Sequence, residues 1–104
     1  MEFEDMLFND LAMTKVKSHG DGQIEYSIDQ APTRRPNYVP EFPGKRRISR
    51  IASQYLDCKY KEISRSPRAI VFSLQRRGEI SPKPRDLAAF FGAFAYHTDF
   101  TLKD

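Results

Sequence analysis

The residues with the clearest chemical meaning come as two matched sets. Glu62 to Arg68 reads EISRSPR and Glu79 to Arg85 reads EISPKPR, an offset of 17 positions with Glu, Ile, Ser, Pro and Arg repeated in place. Ser64 and Ser81 each carry a hydroxyl able to accept a hydrogen bond from an unpaired N–H of a first helical turn. Pro67 and Pro84 fall where a missing N–H costs little. Both sets are therefore expected to start helices. Arg65, Arg68, Lys83 and Arg85 do not serve that purpose, because a cation in the first turn opposes the helix dipole by a few tenths to about 1 kcal/mol. A bound anion reverses the sign. Free N–H groups, a hydroxyl and an arginine at one helix start are the parts of a phosphate site.

The charge distribution points the same way. Residues 1–30 hold two Lys against seven acids, net −5; residues 31–86 hold 14 Lys/Arg against five acids, net +9; residues 87–104 carry net −1. A strongly cationic segment inside a small chain suits a polyanion or an acidic protein surface. The expected contacts to nucleic acid, DNA or RNA, are Arg34, Arg35, Lys45, Arg46, Arg47, Arg50, Ser64, Arg65, Ser81, Lys83 and Arg85, joined by Arg68. No expected helix clusters the Asn, Gln and Arg side chains that read base edges, so binding is expected to follow the backbone with weak sequence preference. The alternative is an assembly or adaptor subunit, of a phage or virus for example. It docks a protein partner, or further copies of itself, through its proline-rich arm and apolar C-terminal helix, with Tyr38, Phe42, Phe90, Phe91 and Phe94 as contacts.

Catalysis is not expected. His19 lies in the turn-forming HGDG stretch and His97 near the end of an apolar segment, and no Ser-His-Asp set, carboxylate pair or metal-ligand spacing falls on one element. No cofactor or metal is expected. The single Cys58 leaves no disulfide within the chain and no cysteine-based zinc cage, which favours a reducing compartment: cytoplasmic, or else nuclear or virion-associated. The acidic first ten residues do not suit a signal peptide, and no apolar run is long enough to span a membrane.

Positioning these groups takes one domain, by the length of 104 residues. Phe3, Met6, Leu7 and Leu11 fall at helical spacing. Ile24, Tyr26 and Ile28 alternate with polar residues as a half-buried strand, and HGDG joins it to TKVKS as a hairpin. Residues 31–47 hold four of the seven prolines and read as an extended basic arm or linker. Ile48, Ile51, Ala52, Tyr55 and Leu56 mark one face of a helix reaching Lys61. Residues 67–77 are expected as a second helix, with the alternation of Ile70, Phe72 and Leu74 as the rival strand reading. Residues 85–97 form the third, with Gly92 permitting a close approach. The expected class is α+β: an acidic helix plus hairpin over 1–30, the arm over 31–47, and a bundle of about three helices over 48–104. In outline, a basic arm ahead of three helices resembles small helical DNA-binding domains.

Overall fold

The computed structural model of the chain describes residues 6–8, 10–19, 22–31, 37–76 and 82–102. Their elements in chain order are β1 (Met6–Phe8), β2 (Leu11–Ser18), β3 (Gln23–Gln30), β4 (Tyr38–Glu41), α1 (Lys45–Leu56), β5 (Cys58–Arg65), β6 (Ala69–Arg76), α2 (Pro84–Tyr96) and β7 (Asp99–Leu102). Five strands form one antiparallel sheet in the order β1-β2-β3-β6-β5, and β4 pairs with β7 in a separate two-stranded sheet.

The expected C-terminal bundle is therefore wrong. Residues 69–76 form a strand because their apolar period is two: Ile70, Phe72 and Leu74 pair with Ile28, Tyr26 and Ile24 of β3 on one face. A β3 neighbour on one edge and a β5 neighbour on the other satisfy the backbone groups that a helix would otherwise bond internally.

The first Ser-Pro-Arg set starts no helix either. Ser64 lies within β5 opposite Val71, and Ser66, Pro67 and Arg68 make the tight β5–β6 turn, where the Ser66 N–H donates to the Ala69 carbonyl at 2.8 Å. Ser and Pro are turn formers as readily as helix starters, and here the turn wins. In the second set Pro84 is the first residue of α2, preceded at the N-cap by Lys83 without a side-chain cap bond; Ser81 lies outside the described residues.

Three further expectations change. Met6–Phe8 is a strand edge, in register Met6 to Met13 and Phe8 to Leu11, not part of a helix; Phe3 is outside the described residues. The first long helix stops at Leu56 rather than Lys61. Asp57 adopts left-handed φ 53°, its N–H closes back on the Ala52 and Ser53 carbonyls, and Cys58–Lys61 continue as strand. The proline-rich segment is built into the fold where it is described: Val39 and Pro43 are buried, β4 is paired, and residues 45–47 belong to α1. Arg34 and Arg35 lie outside the described residues.

Both helices share one core with one face of the large sheet. Met13, Tyr26, Ile28, Ile70, Phe72 and Leu74 meet Ile48, Ile51, Ala52 and Leu56 of α1 and Leu87, Phe90, Phe91, Phe94 and Ala95 of α2. Phe72 and Phe90 have ring centroids 5.9 Å apart. Phe90, Phe91 and Phe94, expected as docking residues, are 0–2% exposed and fill this core instead. Gly92 has open space where a Cβ would stand, so no neighbour approaches closely there. The other sheet face carries the cross-strand rows Thr14, Ser27, Val71, Ser64 and Lys17, Glu25, Ser73, Lys61.

Candidate nucleic-acid interface

The cations of the chain separate into groups with different surroundings. In α1, burial of Ile48, Ile51, Ala52 and Leu56 at helical spacing leaves Lys45, Arg46, Arg47 and Arg50 exposed. Arg46, Arg50 and Gln54 form a row at four-residue spacing along the outward side, with Arg47 beside it. The helix sequence KRRISRIASQYL contains no acid, and these four cations make no ion pair with a described residue. Lys45, Arg46 and Arg47 occupy the first turn, where the dipole disfavours them, and the N-cap Gly44 offers no side chain.

Arg65 is committed elsewhere. Its guanidinium donates to Glu62 Oε1 at 2.8 and 3.2 Å and to the Pro43 carbonyl at 3.0 Å, while the Tyr60 hydroxyl donates to the same Glu62 oxygen at 2.9 Å. The Arg65 hydrogen bond holds the Glu62 carboxyl below its usual range, and burial pushes the Tyr60 phenol up. This network ties the loop entering α1 to β5. Arg68 acts similarly at the other end of the segment. It donates to the Gln30 side-chain oxygen and to the Tyr38 carbonyl at 3.4 Å, which also accepts from Gln30 Nε2 at 2.6 Å. Arg65 and Arg68 therefore clamp the β4 segment at Pro43 and Tyr38.

Lys83 and Arg85 are exposed at the start of α2. Arg47 in the first turn of α1 reaches His97 at the end of α2, so Lys83 and Arg85, at the opposite end of α2, lie away from that meeting point. Ser64 shares its sheet face with Val71 and Ser27, away from the helices. The expected contacts thus do not converge; the outward side of α1 gathers four of them.

A second feature escaped the sequence reading. A cleft of about 370 Å³ opens where α1 begins and α2 ends, lined by Glu41, Phe42, Arg47, Tyr96, His97 and Asp99. Arg47 Nη1 lies 3.2 Å from His97 Nδ1. A guanidinium only donates, so Nδ1 is the acceptor in this contact and Nε2 is left as the ring's donor. Glu41 and Asp99 are direct cross-strand partners in the β4–β7 sheet, an opposition of like charges that costs stability. Tyr96 is 81% exposed and meets His97 edge to face, with centroids 5.1 Å apart. Phe42 packs inward on Phe94 at 5.8 Å and forms the floor. Pairing of β4 with β7 brings together positions nearly 60 residues apart, and no local spacing could have announced it.

His19, the other histidine, is paired with Glu25 at 3.2 Å across the β2–β3 turn. Among the described residues no group of three or more His, Cys, Asp or Glu is placed to hold a metal ion, and no helix is long and apolar enough to cross a membrane. No protein-family model, curated protein or solved structure matches the chain.

Proposed function

We propose that the chain is a non-enzymatic nucleic-acid-binding protein that holds backbone phosphates on the outward side of α1, with weak dependence on sequence. The supporting observation is the exposed set Lys45, Arg46, Arg47 and Arg50 on a helix without an acid. Three of them sit where they weaken their own helix, a cost that a bound anion turns into a gain. The helix is about 18 Å long, by its 12 residues at about 1.5 Å each. Duplex DNA presents one charge per roughly 1.7 Å of axis, so several phosphates fall within reach of this face. The buried, unpaired Cys58 suits a reducing, cytoplasmic setting.

Arg46→Ala and Arg50→Ala test the reading, since both side chains are exposed and their loss leaves the core intact. Each variant should weaken binding by a similar factor on two unrelated oligonucleotides. Each should also flatten the log–log salt dependence by about one unit. Fluorescence anisotropy over a range of salt measures both. If wild type binds no oligonucleotide even at low salt, the nucleic-acid reading fails. The same face is then assigned to an acidic protein surface, and the chain to an assembly or adaptor role.

A further inference from the structure

From the cleft at the junction of α1, α2 and the β4–β7 sheet, we infer that the protein holds one ribonucleotide there and so prefers RNA to DNA. This rests on the phosphate reading of α1 and goes beyond it, because the α1 cations do not distinguish the two polymers. Three kinds of group meet in the cleft. Arg47 and the Nε2–H of His97 are donors suited to a phosphate oxygen. Glu41 and Asp99 are acceptors only, and ribose hydroxyls are donors that a carboxylate can take. Tyr96 offers an open aromatic face for a base to stack on.

The three kinds of group match the three parts of a nucleotide. Arg47 belongs both to the cleft and to the cationic side of α1, so a strand whose phosphates follow Arg50, Arg46 and Arg47 reaches the cleft at its next residue. The opposed pair Glu41 and Asp99 repels itself and repels a phosphate. A hydroxyl hydrogen between or beside the two carboxylates relieves the first repulsion, and the donors Arg47 and His97 take the phosphate in place of the carboxylates. Deoxyribose lacks the 2′-hydroxyl and leaves a carboxylate without that donor, which is the physical source of discrimination.

The test compares RNA and DNA oligonucleotides of one unstructured sequence by anisotropy, in EDTA so that no divalent cation bridges the carboxylates. The variants are Glu41→Gln, Asp99→Asn and Tyr96→Ala, all at surface positions, with thermal melts to establish that each folds. Wild type should bind RNA more tightly than DNA by about tenfold, the worth of one hydrogen bond to a charged group. Asp99→Asn or Glu41→Gln should reduce that ratio towards one. Tyr96→Ala should weaken both polymers by about tenfold, the loss of one stacked base.

Equal binding of RNA and DNA by wild type overturns the inference and leaves the α1 reading standing. So does a rise in both affinities together on removing a carboxylate, which marks Glu41 and Asp99 as mere repulsion. Absence of binding to either polymer instead removes the α1 reading, and this inference with it.

Discussion

Arg65 and Arg68 at the β5–β6 turn and Arg46 and Arg50 on α1 are four arginines of one small basic chain, yet they answer to different physics. The first pair spends its donors on the chain itself, at Glu62, Pro43, Gln30 and Tyr38. The second pair faces outward from a helix with no acid to receive it. A cation count over a segment therefore overstates what is offered to a partner. What matters is whether carbonyl or carboxylate acceptors of the same fold lie within reach.

The strongest way to break this division is Arg65→Ala. It leaves the Glu62 carboxylate with Tyr60 alone and strips the Pro43 carbonyl of its donor, on a side chain about one-third exposed. Hydrogen bonds to charged groups are worth about 1.5–3 kcal/mol, and partial exposure lowers that to an expected loss of about 1–2 kcal/mol in urea unfolding. Oligonucleotide binding by the folded variant should change little beside the effect of Arg50→Ala. A variant that keeps its stability and loses binding would move Arg65 into the outward group.

The same network makes a pH prediction. Glu62 has its folded-state value lowered from an ordinary 4.5, chiefly by the Arg65 hydrogen bond, so its ionised form stabilises the fold. That contribution is present above the unfolded value and disappears as pH falls through the lower folded one. The stability difference between wild type and Glu62→Gln should therefore be constant near neutrality and shrink at pH values below the usual carboxylate range. A difference that grows on acidification contradicts the assigned sign.

Arg68→Ala is expected to do less, under about 1 kcal/mol, because its side chain is exposed and Gln30 Nε2 still donates to the Tyr38 carbonyl at 2.6 Å after the change. Comparison of Arg68→Ala with Gln30→Ala in a double-mutant cycle sharpens the point. A coupling near zero would detach Arg68 from the clamp.

What the sequence disclosed and what it hid follow the same division between local and distant partners. The alternation of Ile24, Tyr26 and Ile28, and the buried spacing of Ile48, Ile51, Ala52 and Leu56, are local patterns and were legible. Residues 67–77 were misread because Ser-Pro-Arg serves a turn as well as a helix start, and because the strand partners that decide the matter lie about 45 positions upstream for β3 and immediately upstream for β5. Phe90, Phe91 and Phe94 were misplaced at the surface for a related reason. Without the large sheet, a three-helix region had too little apolar surface to cover them, whereas Phe72 and Phe42 do so in the fold. Of the candidate site, the α1 cations are visible as residues but not as the outward side of a helix that itself holds no acid, and the cleft residues Glu41, Tyr96 and Asp99 are not visible at all. His97 was noted, but its partner Arg47 lies 50 positions away.

The smallest expected effect on stability is also the most diagnostic, because it should carry opposite signs in two measurements. Gly44, the N-cap of α1, has extended backbone at φ −68° and ψ 161° that any residue adopts, and a Cβ there meets nothing within 4 Å. Gly44→Asp adds a carboxylate able to accept a first-turn N–H and favoured by the dipole, for a gain of roughly 0.5 kcal/mol in urea unfolding. The same carboxylate stands beside Lys45, Arg46 and Arg47, where the α1 reading places a phosphate, so oligonucleotide affinity should fall while stability rises. Gly44→Asn separates the two contributions, since it supplies a cap without a charge. It should stabilise slightly and leave binding unchanged. If Gly44→Asp raises stability and binding stays at the wild-type level, phosphates do not sit at the head of α1, and the outward arginines lose their assigned partner.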